Sequence, residues 1–271
     1  MNKIHEKTKK LNWIESIAYL HKANQAHVLL TVLETRGSSP RDTGSKMVVS
    51  SDEIFDTIGG GALEHEVIKL SRQFLLENKN IQHTQSFNLG KDLKQCCGGT
   101  VTVFFEVFAV VDFNIVIFGA GHIGKSIVKI LEEIDCQVKW FDSRSALFPD
   151  SCASHIQKMT MDQPELAIES CEKNSYFLVM THDHALDQTL CEAIISRNDS
   201  RYCGLIGSKT KAHKFRQRMQ KKGYGQHELE QLTCPMGLSL LKTKKPMEIA
   251  VSVVAELLVR YESNQNRIPT R

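Results

Sequence analysis

The sequence lacks a long apolar run and a strong charge imbalance, and each absence removes a class of protein. Its 271 residues carry a net charge of +3, which is too mild for bulk charge to indicate nucleic-acid binding. The most apolar stretch, residues 101–118, is interrupted by Glu106, Asp112 and Asn114. A membrane-spanning helix needs about 20 nearly uninterrupted apolar residues, so this stretch predicts two strands joined by a short link. We therefore expect no nucleic-acid partner and no membrane partner.

The spacing of the cysteines also excludes common metal sites. Eight cysteines are present without any C-x-x-C pair, so no zinc site of that type is predicted, and no quartet suits an iron–sulfur cluster. The first 20 residues place apolar side chains at helical spacing, without the continuous apolar core of a secretory signal. We expect a cytoplasmic protein with reduced cysteines.

The order of predicted elements changes near residues 108–113. Residues 1–110 contain an amphipathic helix (11–25), several strands, a loop (36–45) and a helix after a glycine-rich turn, which is typical of a small α+β domain. From residue 111 to 271 strands alternate with helices, which predicts a parallel, doubly wound sheet. The predicted fold class is therefore α/β, with a C-terminal Rossmann-type domain and a smaller N-terminal α+β domain.

The stretch IFGAGHIG has the G-x-G-x-x-G spacing of a dinucleotide-binding turn. Gly119 would allow the tight turn, Gly121 the approach of a pyrophosphate, and Gly124 close packing of helix on strand. Asp142 ends the next predicted strand, where a ribose-binding acid belongs. The alternative is a Rossmann scaffold that keeps the turn without a nucleotide. Arg144 is interpreted as a solvated loop residue, because Asp142 would repel a 2′-phosphate.

Two further motifs are predicted at the carboxyl ends of strands, where open α/β sheets bind ligands. In THDHALD, His182, Asp183 and His184 would contact a ligand or a metal, or Asp183 would simply cap the following helix. The segment 208–222 carries seven Lys or Arg residues and no acid. Lys209 at its start would attract an anion, although a solvated helix face would have the same composition.

The N-terminal region has its own anion-binding patterns. IGGGALE contains Gly59, Gly60 and Gly61 before a predicted helix, so its backbone would hold a phosphate, or it would be a plain tight turn. RGSSPRDTGSKM places Arg41 among small residues. A basic loop of this kind suits an oxyanion, but a surface loop would look similar.

The segment QCCGGT combines a reactive side chain, a cysteine thiol, with two glycines. Cys97 directly precedes Gly98 and Gly99, so backbone there would approach a ligand closely. Lys94 would favour the thiolate, which is compatible with a soft metal or a sulfur-bearing ligand. The alternative is a buried cysteine in a turn.

The motifs follow one another along residues 11–260 in the order RGSSPRDTGSKM, IGGGALE, QCCGGTVTVFFEV, VIFGAGHIGKSIVKIL, FDSR, THDHALD, CGLIGSKTK and PMGL with PMEIAVSVVAELL. This set and its order closely resemble the xanthine dehydrogenase accessory factor family (XdhC/CoxI). The resemblance implies a homodimeric chaperone without independent turnover, which binds the molybdenum cofactor (molybdopterin). Its partners would be a cysteine desulfurase, for sulfuration of the cofactor, and a xanthine dehydrogenase-type apoenzyme of purine catabolism, which receives it.

The resemblance also assigns cofactor-binding residues. Cys97 would contact the molybdenum or a sulfur of the cofactor, and the glycines of the Rossmann turn would bind a phosphate of the pterin or of a nucleotide. The full candidate set is Arg41, Gly59, Gly60, Gly61, Glu64, Cys97, Gly98, Gly99, Gly119, Gly121, Gly124, Asp142, His182, Asp183 and Lys209.

Two other functions remain open on sequence grounds. One is an NAD(P)-dependent oxidoreductase, for which His182, Asp183 and Lys209 are the available proton donors or anchors. No pattern arranges them for hydride transfer. The other is a regulator whose Rossmann domain senses NAD(P) or another nucleotide.

Overall fold

The chain forms two units, residues 1–110 and 111–271, in a computed structural model that describes residues 11–91, 98–241 and 243–265. Within the described residues, no helix has the length and apolar character needed to cross a membrane.

The first unit is an antiparallel five-stranded sheet with the strand order β3-β2-β1-β5-β4. Its two faces are covered by different helices, because consecutive apolar residues at the start of the central strand β1 point to opposite faces of the sheet. Val28 and Leu30 pack with residues of α2, whereas Leu29 contacts the cluster that contains Leu20 of α1. The elements are α1 (Trp13–Lys22), β1 (His27–Arg36), β2 (Lys46–Ser50), β3 (Ile54–Asp56), α2 (Gly61–Leu76), β4 (Gln82–Asn88) and β5 (Thr100–Phe108).

The second unit is a parallel six-stranded sheet with the order β11-β10-β9-β6-β7-β8. The chain runs outward from β6 to β8, then crosses to β9 and runs outward in the other direction. The elements are β6 (Asn114–Phe118), α3 (His122–Leu131), β7 (Gln137–Asp142), β8 (Ile156–Thr160), β9 (Tyr176–Val179), α4 (His184–Arg197), β10 (Tyr202–Leu205), α5 (Lys209–Lys221), α6 (Gln226–Gln231), β11 (Leu232–Thr233) and α7 (Pro246–Gln265). Short 3₁₀ helices span Ser145–Leu147 and Pro164–Ser170.

Both faces of the parallel sheet are buried, which explains the continuous apolar run of β6. Ile115 and Ile117 belong to the core beneath α3 and α7. Val116 and Phe118 belong to the core beneath α4 and α5. A strand covered on both faces has no reason to alternate with polar residues. The predicted doubly wound α/β class with a smaller α+β domain is confirmed, and residues 101–118 do form two strands.

Three small elements were not expected from the sequence. β3 has three residues, of which only Phe55 is buried, which is too short for an alternating pattern to be recognised in the sequence. α6 and β11 lie in a segment without a predicted element. They are six and two residues long, too short to show a period.

Candidate functional site

The turn between β6 and α3 uses each of its three glycines differently. Gly119 has a φ of +117°, and a Cβ there would lie 2.4 Å from the Met180 carbonyl oxygen. A Cβ on Gly124 would lie 2.2 Å from the Gly119 carbonyl oxygen. Packing therefore requires glycine at both positions. A Cβ on Gly121 would meet nothing within 4 Å, so this glycine leaves open space in front of the helix N-terminus, where backbone N–H groups attract anions.

Asp142 is already engaged at the end of β7. Its carboxylate accepts hydrogen bonds from the Ala120 backbone N–H at 2.7 Å and from two nitrogens of the Arg144 guanidinium, each at 2.9 Å. Burial alone would raise the pKa of Asp142, but these hydrogen bonds outweigh it and lower the pKa to about 2. Arg144 is thus the ion-pair partner of Asp142, although it stays exposed in the loop as the sequence predicted.

The surroundings of Asp142 do not fit the ribose of a bound dinucleotide. Both carboxylate oxygens already accept hydrogen bonds, and the Ala120 N–H of the glycine turn already donates one to Asp142. The cavity beside them measures only about 20 Å³ and is lined by residues that include Met161, Pro164 and His182. We therefore assign Asp142 a structural role, which is to tie the glycine turn to β7.

The THDHALD segment divides its polar residues between surface and interior. Asp183 caps α4, since its Oδ1 accepts from the Ala185 N–H at 2.7 Å. His182 and His184 are exposed. Among the residues that the structure describes, no group of three His, Cys, Asp or Glu side chains could hold a metal. This segment is therefore a helix start on the rim of the sheet.

An unexpected ion pair lies directly behind that rim. Asp187 is fully buried, and Lys211 Nζ donates to its Oδ2 at 2.7 Å. The hydroxyl and N–H of Thr181 donate to the same carboxylate at 2.7 and 3.0 Å. Lys211 Nζ also donates to the Ile206 carbonyl oxygen at 3.0 Å. A Cβ on Gly207 would lie 2.6 Å from Lys211 Cδ, so this glycine makes room for the lysine to reach inward.

The sequence did carry a signal for Asp187. In α4 it is buried together with Leu190, Cys191 and Ile194, which is the spacing of one helix face. An acid on that face needs a partner, because an unpaired buried charge is costly. The partner could not be identified from sequence, since Lys211 lies on another helix among many basic residues.

A cavity of about 570 Å³ opens beside this ion pair, at the carboxyl ends of β9 and β10. Lys211, Lys214 and Arg218 line it, together with Ser208 and Thr210 of the α5 N-terminus. Lys209, which the sequence singled out, is exposed and is not among the lining residues. The basic residues that α5 presents to this cavity are therefore Lys211, Lys214 and Arg218 instead of the expected Lys209.

In the first unit, the structure brings two of the predicted motifs into contact. Gly59 has a φ of +125°, and a Cβ there would lie 2.6 Å from the Pro40 ring and 3.3 Å from Arg41 Cγ. Gly60 and Gly61 also have positive φ angles of 73° and 68°. The three glycines therefore allow the turn before α2 to pack against the 36–45 loop.

Glu64 stabilises this turn from within α2. Its Oε2 accepts hydrogen bonds from the Gly60 N–H at 3.0 Å and from the Thr57 hydroxyl at 2.5 Å. The Thr57 hydroxyl oxygen in turn accepts from the Gly59 N–H at 3.0 Å. Glu64 is a positioning residue for the glycine turn in this geometry.

A third motif reaches the same loop. A Cβ on Gly99 would lie 2.3 Å from the Ser38 carbonyl oxygen and 2.7 Å from that of Arg36, so the chain at this point lies directly on the loop backbone. Gly98, in contrast, has nothing within 4 Å of its Cβ position. Cys97 precedes it in the sequence and lies outside the described residues, so the role predicted for Cys97 stays a prediction.

Several other thiols are poor ligands in this structure. Burial raises the pKa of Cys136 to about 12 and that of Cys234 to about 11, and burial also raises the pKa of Cys171. These three side chains stay protonated at neutral pH. A thiolate, not a thiol, is the form that binds metal or attacks sulfur.

The fold defines a two-unit protein, made of a Rossmann-type unit and an α+β unit with its own glycine-lined loop cluster. Residues 115–257 match the XdhC Rossmann domain, and residues 20–88 match the XdhC and CoxI family. The first match covers more than half of the chain. The chain therefore belongs to the XdhC and CoxI family.

The proteins similar to this chain include one curated relative and one solved structure of comparable length. The uncharacterised protein YqeB of Escherichia coli K12 is 27% identical over 256 residues, which cover 92% of this chain and 46% of that protein. The chain thus spans less than half the length of this relative. A crystal structure from Bacillus halodurans, described as a xanthine dehydrogenase, is 19% identical with a TM-score of 0.51. It covers 96% of this chain and 98% of that one, which shows a shared fold.

Proposed function

We propose that the protein binds the molybdenum cofactor and delivers it to a xanthine dehydrogenase-type apoenzyme. Membership of the XdhC and CoxI family supports an accessory role for enzymes of that type. The observation that carries the proposal is the convergence of three motifs in the first unit: the loop around Arg41, the turn Gly59–Gly61, and Gly99.

The charge of this loop cluster suits the phosphate of the cargo. Arg41 is exposed, and its guanidinium has no carboxylate within 4 Å in the part of the chain that the structure describes. Arg36 in the same loop already pairs with Glu34 at 2.8 Å. An unpaired guanidinium is free to bind a phosphate oxygen through two parallel hydrogen bonds. We infer that Arg41 orients the anionic end of the cofactor.

The backbone of the cluster leaves room for a ligand. Open space surrounds the Cβ positions of Gly60 and Gly98, so a bulky group can approach the backbone at both points. Glu64 holds the turn rigid by accepting from the Gly60 N–H. A preformed cradle loses less conformational entropy when the cargo binds.

Cys97 supplies the chemistry in this proposal. The cofactor carries dithiolene sulfurs and molybdenum, to which a thiolate is a suitable soft neighbour. Cys97 would hold the cofactor at that end while a cysteine desulfurase provides the terminal sulfido ligand. The same proposal includes that this protein forms a homodimer and delivers the cofactor to the apoenzyme in that state.

The test compares matched pairs of variants in the full chain. Cys97→Ser and Arg41→Gln should each lower the amount of bound molybdopterin, measured by pterin fluorescence after oxidative release, and lower activation of the client apoenzyme. The controls Cys96→Ser and Arg36→Gln make the same chemical changes nearby and should retain both. If Cys97→Ser and Arg41→Gln bind and deliver the cofactor as the unmodified chain does, this proposal is wrong.

NAD-dependent oxidation is less well supported by the geometry. The ribose acid Asp142 is committed to Arg144 and to the Ala120 N–H. His182 and Lys209 are exposed, and no side-chain hydrogen bond within the described residues fixes either of them for proton transfer. We therefore keep the accessory role as the proposed function.

A further inference from the structure

The cavity at the start of α5 has a charge distribution that the cofactor proposal does not explain. Lys214 and Arg218 are one helical turn apart, and both line the cavity. Neither has a carboxylate within 4 Å among the described residues. By contrast, the Lys222 Nζ at the end of the same helix pairs with Glu192 at 2.7 Å. The two unpaired cations therefore face a shared space.

The acid nearest to this space is already neutralised. Asp187 receives hydrogen bonds from Lys211 Nζ and from both donors of Thr181. Its charge is therefore balanced locally, and it does not offset the positive potential of Lys214 and Arg218. The ion pair also joins the first turn of α5 to α4, which fixes the wall of the cavity.

Neutral donors in the cavity complement the two cations. Thr210 lines it with a hydroxyl group, and Ser208 caps α5 by accepting from the Lys211 N–H at 3.2 Å. The remaining N–H groups in the first turn of a helix have no intrahelical acceptor. Side-chain cations, hydroxyls and backbone N–H groups together form the donor set that a phosphate dianion requires.

The size and lining of the cavity favour a phosphate that is attached to an organic body. Its volume of about 570 Å³ is within the usual range for small-molecule sites, roughly 300–1,000 Å³. Ile206 and Phe215 provide an apolar side, which a bare inorganic ion would not use. The cavity also lies beyond the carboxyl ends of β9 and β10, the sheet edge at which doubly wound folds bind ligands.

We propose that this cavity binds the phosphate group of a phosphorylated heterocycle, at a site separate from the glycine turn. Lys214 and Arg218 bind the phosphate oxygens, and Ile206 and Phe215 contact the ring. Two sources share this chemistry, namely a mononucleotide and a phosphorylated pterin. The site rests on its own residues and does not require that the first unit bind the molybdenum cofactor.

The experiment titrates the full chain by calorimetry with AMP and with 6-hydroxymethylpterin phosphate. Adenosine and 6-hydroxymethylpterin serve as the phosphate-free counterparts. The proposal expects at least one phosphorylated probe to bind, its counterpart to bind more weakly, and the tighter probe to identify the source. If neither phosphorylated probe binds at millimolar concentration, the proposal is wrong.

Variants then locate the site. Arg218→Gln should weaken binding of the tighter probe by about tenfold, the usual loss for a charge-assisted hydrogen bond. Lys221→Gln removes the same charge from an exposed position of the same helix outside the cavity, so it should change binding less than twofold. Equal weakening by both variants would show a general electrostatic effect and overturn the proposal.

A further variant separates this cavity from the glycine turn. Gly121→Ala fills the open space at that turn without a clash, and it should leave probe binding unchanged. Loss of binding in Gly121→Ala, with binding retained in Arg218→Gln, would place the phosphate at the turn and refute the proposal. Arg41→Gln should also leave binding of AMP intact, because the cofactor proposal places a pterin and not a mononucleotide at Arg41, so that failure here and failure of the cofactor proposal remain distinguishable.

Discussion

Replacing Lys211 with methionine tests the buried ion pair of the second unit. Methionine keeps most of the aliphatic stem and removes the ammonium group that donates to Asp187 at 2.7 Å. The carboxylate of Asp187, which is fully buried, would keep its two hydrogen bonds from Thr181 but lose its countercharge. Removing one member of a buried pair costs about 3–5 kcal/mol. We expect about 3 kcal/mol, because the Thr181 donors remain.

The assay must follow the second unit alone, since a chain of two units need not unfold in one step. Trp13 and Trp140 are the two tryptophans, and Trp140 is fully buried in the second unit. A Trp13→Phe background leaves Trp140 as the single fluorescent reporter during urea unfolding. Lys221→Met is the matched control on the same helix, and a change there should stay within about 0.5 kcal/mol.

A double-mutant cycle then isolates the ion pair. Asp187→Asn keeps an oxygen that can accept from Thr181 and removes the charge that Lys211 balances. In the double variant no charge is left without a partner, so it should recover at least about 1 kcal/mol relative to the sum of the two single changes. A loss of under about 1 kcal/mol in Lys211→Met, or strictly additive losses in the cycle, would refute the reasoning.

Three further outcomes follow from the same geometry. Gly124→Ala should destabilise the second unit by about 2 kcal/mol or more in urea unfolding, because backbone overlap outweighs a helix-propensity gain of about 1 kcal/mol. Gly121→Ala, which meets no atom, should be nearly neutral. The Arg144→Gln variant should unfold more easily than the unmodified chain at neutral pH. This difference in the free energy of unfolding should become smaller as the pH falls. The pKa of Asp142 is about 2, against an ordinary value of 3.8. This shift adds roughly 2 kcal/mol to the free energy of unfolding above pH 4, and the contribution is lost by pH 2. If urea unfolding at several pH values shows a constant difference between variant and unmodified chain, this reasoning is wrong. Gly99→Ala should speed hydrogen exchange in β5, and unchanged protection would contradict the close contact at that residue.

The parallel sheet could be predicted because its signals are local. The apolar run of β6 and the spacing of Gly119, Gly121 and Gly124 lie within a dozen residues, and the structure gives each glycine a distinct steric environment. The 36–45 loop and the Gly59–Gly61 turn were also visible as motifs. Their contact was not visible, because it depends on how β1 and β2 bring the loop toward the start of α2.

The polar partners could not be predicted, because they depend on side-chain direction. Asp142 has the position of a ribose-binding acid, yet its oxygens are turned toward Arg144 and Ala120. Lys209 begins the basic helix, but Lys211 points inward. Sequence spacing places a residue at the edge of a sheet. Hydrogen-bond geometry then decides whether that residue faces a ligand or its own fold.

A doubly wound sheet can bind an anion at more than one place, because every strand that leads into a helix presents a helix N-terminus at the same edge. In this chain the β6–α3 turn uses its Ala120 N–H internally, and it has no cation comparable to Arg218 beside it among the residues lining its cavity. The β10–α5 turn has the larger cavity and the unpaired charges. The glycine pattern therefore identifies the fold, whereas the unpaired cations indicate where an anionic ligand binds. These two properties need not fall on the same turn.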